Sequence, residues 1–145
     1  MKKTVTIVSL ITFMICMAAC NGLSDRAKEM VGVYYQTAVS ENEPVMELND
    51  DGTCVIHAIK PGVLSYTVNG TWNVENDSLL IYTDGVVASV SGDTTQVRVG
   101  SIPAEKSYKI SDFNELTLTL RRDGNDYTYV RRGHNAELEK QEAKK

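Results

Sequence analysis

Between Gly32 and Arg132 the sequence alternates short runs rich in Val, Ile, Thr and Tyr with clusters of turn formers, and leaves a helix little room. The runs are GVYYQTAV, PVMEL, TCVIHAI, VLSYTVNGTWNV, SLLIYT, VVASVS, TQVRVGSI, SYKI, ELTLTL and DYTYVRR. β-Branched and aromatic side chains suit a pleated, half-buried surface, so these runs read as strands. Between them stand NDDG at 49–52, KPG at 60–62, END at 75–77, DG at 84–85, SGD at 91–93 and DGND at 123–126. Such residues tolerate tight backbone turns. Short strands at a spacing of roughly ten residues predict an all-β fold, an antiparallel meander of about eight to ten strands closed as an up-and-down β-barrel or stacked as a sandwich. Closure would also remove exposed sheet edges. The sequons NGT (Asn69–Thr71) and NDS (Asn76–Ser78) read as further turn residues.

The cleanest alternation is in NELTLTLRRDGNDYTYVRR, where Leu116, Leu118 and Leu120 share one strand face and Thr117 and Thr119 the other. A two-residue DG turn puts Tyr127, Tyr129 and Arg131 on the leucine face. An odd loop would put Thr128, Val130 and Arg132 there instead. The even count is expected, because Leu and Tyr together make the better core.

Ahead of the strands, Lys2 and Lys3 precede sixteen uncharged residues, Thr4 to Ala19. A basic start followed by a short apolar run is the layout of a secretory leader. A bilayer span needs about 20 apolar residues. The run ends in MAAC, Met17–Cys20. This tetrapeptide resembles the lipobox of bacterial lipoproteins, in which two small residues precede a cysteine that receives lipid on its sulfur. Met17 stands where leucine is more usual. The resemblance implies removal of residues 1–19 as a lipoprotein signal peptide and lipid (palmitate-type acyl chains) on Cys20. It also implies membrane attachment through that lipid, at about 0.8 kcal/mol per buried methylene. Asn21, where an aspartate would resemble an inner-membrane retention signal, points to the outer membrane within the cell envelope. The competing reading is an ordinary secretory signal that leaves Cys20 as a free or paired thiol. After Cys20, residues 20–29 are a polar tether or a single helical turn, residues 30–133 the barrel, and residues 134–145 a charged tail without an apolar stripe.

The whole chain carries 15 Lys and Arg against 19 Asp and Glu, a net charge of −4, and loss of the two leader lysines makes it more negative. Nucleic acid is therefore not an expected partner. With Cys16 removed and Cys20 lipidated, Cys54 stands alone and is expected to be a buried small hydrophobe. The sequence has no CxxC, no HExxH, no nucleophile elbow and no glycine-rich phosphate loop. His57, the only histidine inside the domain, lies three residues from Cys54 and so on the opposite strand face. Zinc would need more ligands than that. Glu41, Glu43, Glu47, Asp50 and Asp51 lack the calcium-loop pattern, and turn formation accounts for Asp50 and Asp51. Neither a metal, a cofactor nor a catalytic set is expected, and the chain is read as a non-enzyme.

In their order along the chain, Gly32 and Tyr34 in VGVYY, Gly70 and Trp72 in NGTWNVENDSLLIY, and Tyr129 and Arg131 in YTYVRR carry a family resemblance over residues 30–132. The chain resembles the small lipocalin-like domains of bacterial lipoproteins. Tyr34 departs from the tryptophan typical of lipocalins. What the resemblance implies is a barrel closed by Arg131 stacked on Tyr34 or Trp72. It also implies a small apolar or amphipathic ligand inside, lined by Tyr34, Tyr66, Trp72, Leu118, Tyr127 and Tyr129. Seven tyrosines spread over most predicted strands suit such a wall. The alternative is a filled barrel, since eight strands leave room for side chains or for one small ligand. It would act in the envelope through protein contacts at its loops or at Arg121, Arg122 and Arg132.

Overall fold

Two hairpins close on pairs of residues that both take the left-handed backbone. Asn76 and Asp77 have φ of 49° and 58°, and Asp123 and Gly124 have 51° and 79°. Tight turns of this hand match the twist of the strands they join. In the computed structural model, which describes residues 22–95 and 101–132, they belong to a meander of eight strands. These are β1 (Gly32–Tyr35), β2 (Met46–Leu48), β3 (Thr53–Lys60), β4 (Leu64–Glu75), β5 (Ser78–Gly92), β6 (Glu105–Phe113), β7 (Thr117–Arg122) and β8 (Asn125–Arg132). Each strand pairs antiparallel with the next, and β8 returns to β1 to close the barrel. The protein is thus an all-β, closed, up-and-down antiparallel barrel of eight strands. The leader, Cys20, the tail and most of the predicted strand TQVRVGSI lie outside the described residues.

The Asp123–Gly124 turn sets the register that the even loop predicts. Leu118 faces Tyr129 and Leu120 faces Tyr127 across the ladder, so these side chains point to one side, the interior, whereas Leu116, expected on the same face, precedes β7 and is exposed. Two other turn assignments are corrected. Asn69–Thr71 lies within β4, and Asp84–Gly85 within β5, where the ladder slips between Thr67 and Gly70. β4 and β5 are long strands that keep pairing on both sides of these residues, and the local turn formers are used for a bulge instead. SLLIYT and VVASVS are accordingly one strand of 15 residues.

One end of the barrel is packed shut. A short helix, α1 (Asp25–Glu29), lies there, with the Ser24 Oγ accepting from Ala27 N–H at 3.2 Å as its cap. The cap is itself tied down: Ser24 N–H donates to Asn73 Oδ1 at 2.9 Å and its hydroxyl to the Val74 carbonyl at 2.8 Å. Ala27 and Met30 are fully buried against Tyr34, Leu48, Trp72, Val74, Leu79 and Leu118. From Ser24 onward the segment read as a tether or a helical turn is therefore one helical turn, pinned to the core through Ala27 while Asp25, Arg26, Lys28 and Glu29 stay exposed.

Candidate functional site

Alternation along the strands decides which side chains reach the interior, and the length of the barrel decides which of those are covered. In the sealed half the aromatic residues are saturated by their own chain. Tyr34, with no exposed surface, donates its hydroxyl to the Met30 carbonyl at 2.6 Å. Trp72 donates its indole N–H to the Asn49 carbonyl at 2.9 Å. Leu118 is equally buried. These three predicted lining residues are packed core and border no part of the cavity below.

Burial pushes the Tyr34 phenol up to about 12, against a smaller opposing pull from Arg131. A phenol whose pKa is higher in the folded chain favours folding fully below its unfolded value near 10, and that contribution fades as pH rises from there through 12. We expect stability to fall by an amount of order 2 kcal/mol across this window, and Tyr34→Phe to flatten the fall. Urea melts at stepped alkaline pH measure it; equal slopes in both proteins would refute the assignment.

Arg131 corrects a further expectation. Its guanidinium lies 5.8 Å from the ring of Phe113, not over Tyr34 or Trp72, and it donates to the Val31 carbonyl. Phe113 reaches the interior because a bulge between Ile110 and Asp112 shifts the phase of β6 by one residue. Without it Asp112 would point inward. On β1 the arginine packs over Gly32, where an added Cβ would stand 2.7 Å from Nε. Arg26 of α1 covers the same ring at 5.6 Å, so two cations and one aromatic close the seam at the sealed end. A space of about 570 Å³ beside them, between α1 and the β6–β7 turn, has Glu29 and Glu115 among its walls and its cations already engaged.

The opposite end stays open. A cavity of about 270 Å³ has Met46, Ile56, Ile81 and Leu120 as its floor, with Lys106, Tyr108, Arg122 and Tyr129 around it. A second lobe of about 220 Å³ shares Ile56, Ala58 and Lys106 with the first and adds Tyr66, Val68 and the backbone stretch Ser101–Pro103. That stretch is held over the mouth by β5, since Thr83 donates its hydroxyl to the Pro103 carbonyl at 2.9 Å and its N–H to the Ala104 carbonyl at 2.8 Å. Together the lobes reach the low end of ligand-pocket sizes, roughly 300 to 1,000 Å³. Of the predicted lining residues, Tyr66 and Tyr129 border this space. Tyr127 lies just beyond it, under the Arg122 guanidinium at 5.1 Å.

Electrostatics at the mouth is one-sided. Among the described residues its lining includes Lys106, Arg122 and His57 and no carboxylate. The Tyr127 oxygen, followed by that of Tyr108, raises the Arg122 pKa. Burial raises that of Tyr129, with Tyr108 adding to it and Arg122 opposing. The sequence places Lys106 in VGSIPAEKS at 99–107, a polar stretch suited to the rim of a mouth, without singling it out, and only the register opposite the buried Ile81 puts this lysine on the inner face. Nor do Arg121, Arg122 and Arg132 form a patch. Arg121 faces outward, paired with both oxygens of Asp126 at 2.8 and 3.0 Å. Arg132, also outward, lies 4.7 Å over Tyr35 and donates to the Glu41 carbonyl.

The remaining polar candidates have structural partners. His57, which also borders the first lobe, has its Nε2 2.7 Å from Glu47 Oε1. Cys54 is buried, with burial pushing its thiol up to about 11. Asp51 accepts from both the N–H and the hydroxyl of Thr53 in the β2–β3 turn, and those bonds lower its pKa. Among the described residues no three His, Cys, Asp or Glu side chains converge as metal ligands would. Compared with known proteins, the chain matches no family model, no curated protein and no solved structure at a significant level.

Proposed function

We propose that this is a lipid-anchored envelope lipoprotein of lipocalin-like type whose barrel binds a small apolar or amphipathic molecule, without catalysing a reaction on it. The observation that carries the reading is the division of the barrel: one half is packed solid, and the other is a cup with an apolar floor and polar groups at its lip. Barrel mouths of this form are a common place for small ligands. The anchor suits the geometry. Gly22, only two residues after Cys20, accepts from Asn73 at 3.3 Å beside the sealed end. A lipid on Cys20 therefore holds that end at the bilayer and turns the mouth toward water.

The test is native mass spectrometry of residues 20–145 carrying Cys20→Ser, purified without detergent. The described strands and core residues all lie between residues 22 and 132, so this chain keeps them. The expected result is a co-purifying small molecule that is lost on denaturation, or a rise in melting temperature with one member of an amphiphile panel. A clean apo mass and no stabilisation would overturn the reading.

That outcome would favour protein contacts, for which one observation speaks. Val86 and Val90 are 61% and 46% exposed on β5, and among the described residues no strand pairs with β5 beyond Thr83 on the β6 side. An edge of this kind, without charge from Gly85 to Gly92, is a template for a partner strand.

A further inference from the structure

We infer that the mouth is selective for amphipathic anions, with the tail on Ile56, Ile81 and Leu120 and a carboxylate or phosphate head on Lys106 and Arg122. This rests on the binding reading above and narrows it to one charge class. The chain as a whole has more acidic than basic residues, yet among the described residues the lining of both lobes holds Lys106, Arg122 and His57, the last bonded to Glu47, and no acid. Composition alone would predict the reverse.

Position makes the two cations available. Lys106 sits on the inner face of β6, opposite Ile81, which is 2% exposed. Among the described residues it has no carboxylate within 4 Å. Arg122 is propped on the Tyr127 ring, and its nearest carboxylate, Asp123 at 3.9 Å, stands 90% exposed in the turn. An ion pair that exposed contributes little. Arg121, one residue away, shows the contrast: on the outer face, its guanidinium is taken up bidentately by Asp126. The outward arginine is paired within the chain, and the inward arginine and lysine are left for something else. Beside them, Tyr108 and Tyr129 supply hydroxyls that can donate to an anionic head. Charge-assisted bonds at the edge of an apolar cup are about twice as strong as neutral ones. A neutral amphiphile of the same tail gains only the burial of that tail.

Isothermal titration calorimetry of residues 20–145 with Cys20→Ser tests this with four twelve-carbon probes below their micelle concentrations: dodecanoate, dodecyl phosphate, neutral monododecanoylglycerol and dodecylamine. The anions are expected to bind at least about tenfold tighter than the neutral ester, a difference of about 1.4 kcal/mol, and the amine weakest. Lys106→Gln and Arg122→Gln should each weaken anion binding about fivefold or more without changing the neutral ester, and Lys106→Arg should restore it. Circular dichroism checks that each variant is folded. Whichever anion binds tighter names the head group as carboxylate or phosphate. Equal affinity for all four probes, or anion binding that survives both glutamine variants, overturns the anion assignment and leaves the binding cup standing. No binding by any probe overturns both.

Discussion

Trp72→Ala is expected to remove about 3 to 5 kcal/mol of folding stability, a large share of the 5 to 15 kcal/mol typical of a domain. The indole is 3% exposed, lies opposite Ile81 in the ladder and fills the sealed half beneath the cavity. Its removal leaves a void that the rigid barrel wall can fill only in part. It also deprives the Asn49 carbonyl of its 2.9 Å donor at the β2–β3 turn. Trp72→Phe separates the two effects, since it keeps most of the apolar volume and loses the bond, at a cost nearer 1 to 2 kcal/mol. Urea denaturation followed by far-ultraviolet circular dichroism measures both variants. A Trp72→Ala midpoint within about 1 kcal/mol of the parent would mean that this half of the barrel is not the solid core described above.

Gly70→Val is the second large effect. An added Cβ would stand 2.2 Å from the carbonyl oxygen of Tyr82 and 3.4 Å from the Cys54 sulfur. The first obstacle is backbone on the neighbouring strand, so relief requires the β4–β5 bulge to move and its hydrogen bonds with it. Overpacking of this kind typically costs 1 to 3 kcal/mol, and valine's branches should bring the loss to the upper end or past it. Gly70→Ala should fall lower in the same range. If Asn69–Thr71 were the surface turn that its sequence suggests, alanine or asparagine at 70 would be tolerated. Thermal melts of the two glycine variants decide the point, and an unchanged melting temperature for Gly70→Val would contradict the bulge.

Two of the three Asp-Gly dipeptides show where local reading stops. At Asp123–Gly124 both residues take positive φ and the chain reverses; at Asp84–Gly85 only the glycine does, at 73°, and the strand runs on. In the second case Asp84 accepts from Val86 N–H at 2.9 Å, a turn-like bond inside a ladder that β4 keeps supplying with partners on both sides. The dipeptide offers a reversal, and whether it happens depends on what the distant strand provides. The same limit applied to the candidate site. Tyr34, Tyr66, Trp72 and Tyr129 all alternate onto the inner face, but nothing within a strand says how deep along the barrel axis each one sits.

By itself the sequence determined the all-β class, the antiparallel meander, the interior face of the β7–β8 hairpin from Leu118 onward and the burial of Cys54. These depend on interactions between near neighbours: a period of two, the residues that accept left-handed turns, and the apolar character of single positions. Only the tertiary structure decided that α1 seals one end, that a bulge in β6 brings Phe113 under Arg131, and that Lys106 and Arg122 meet at an open mouth while Arg121 is paired outside. Each of these depends on the phase and stagger of strands far apart in the chain. A one-residue slip in a ladder exchanges the inner and outer faces, and a period-two pattern looks the same before and after it.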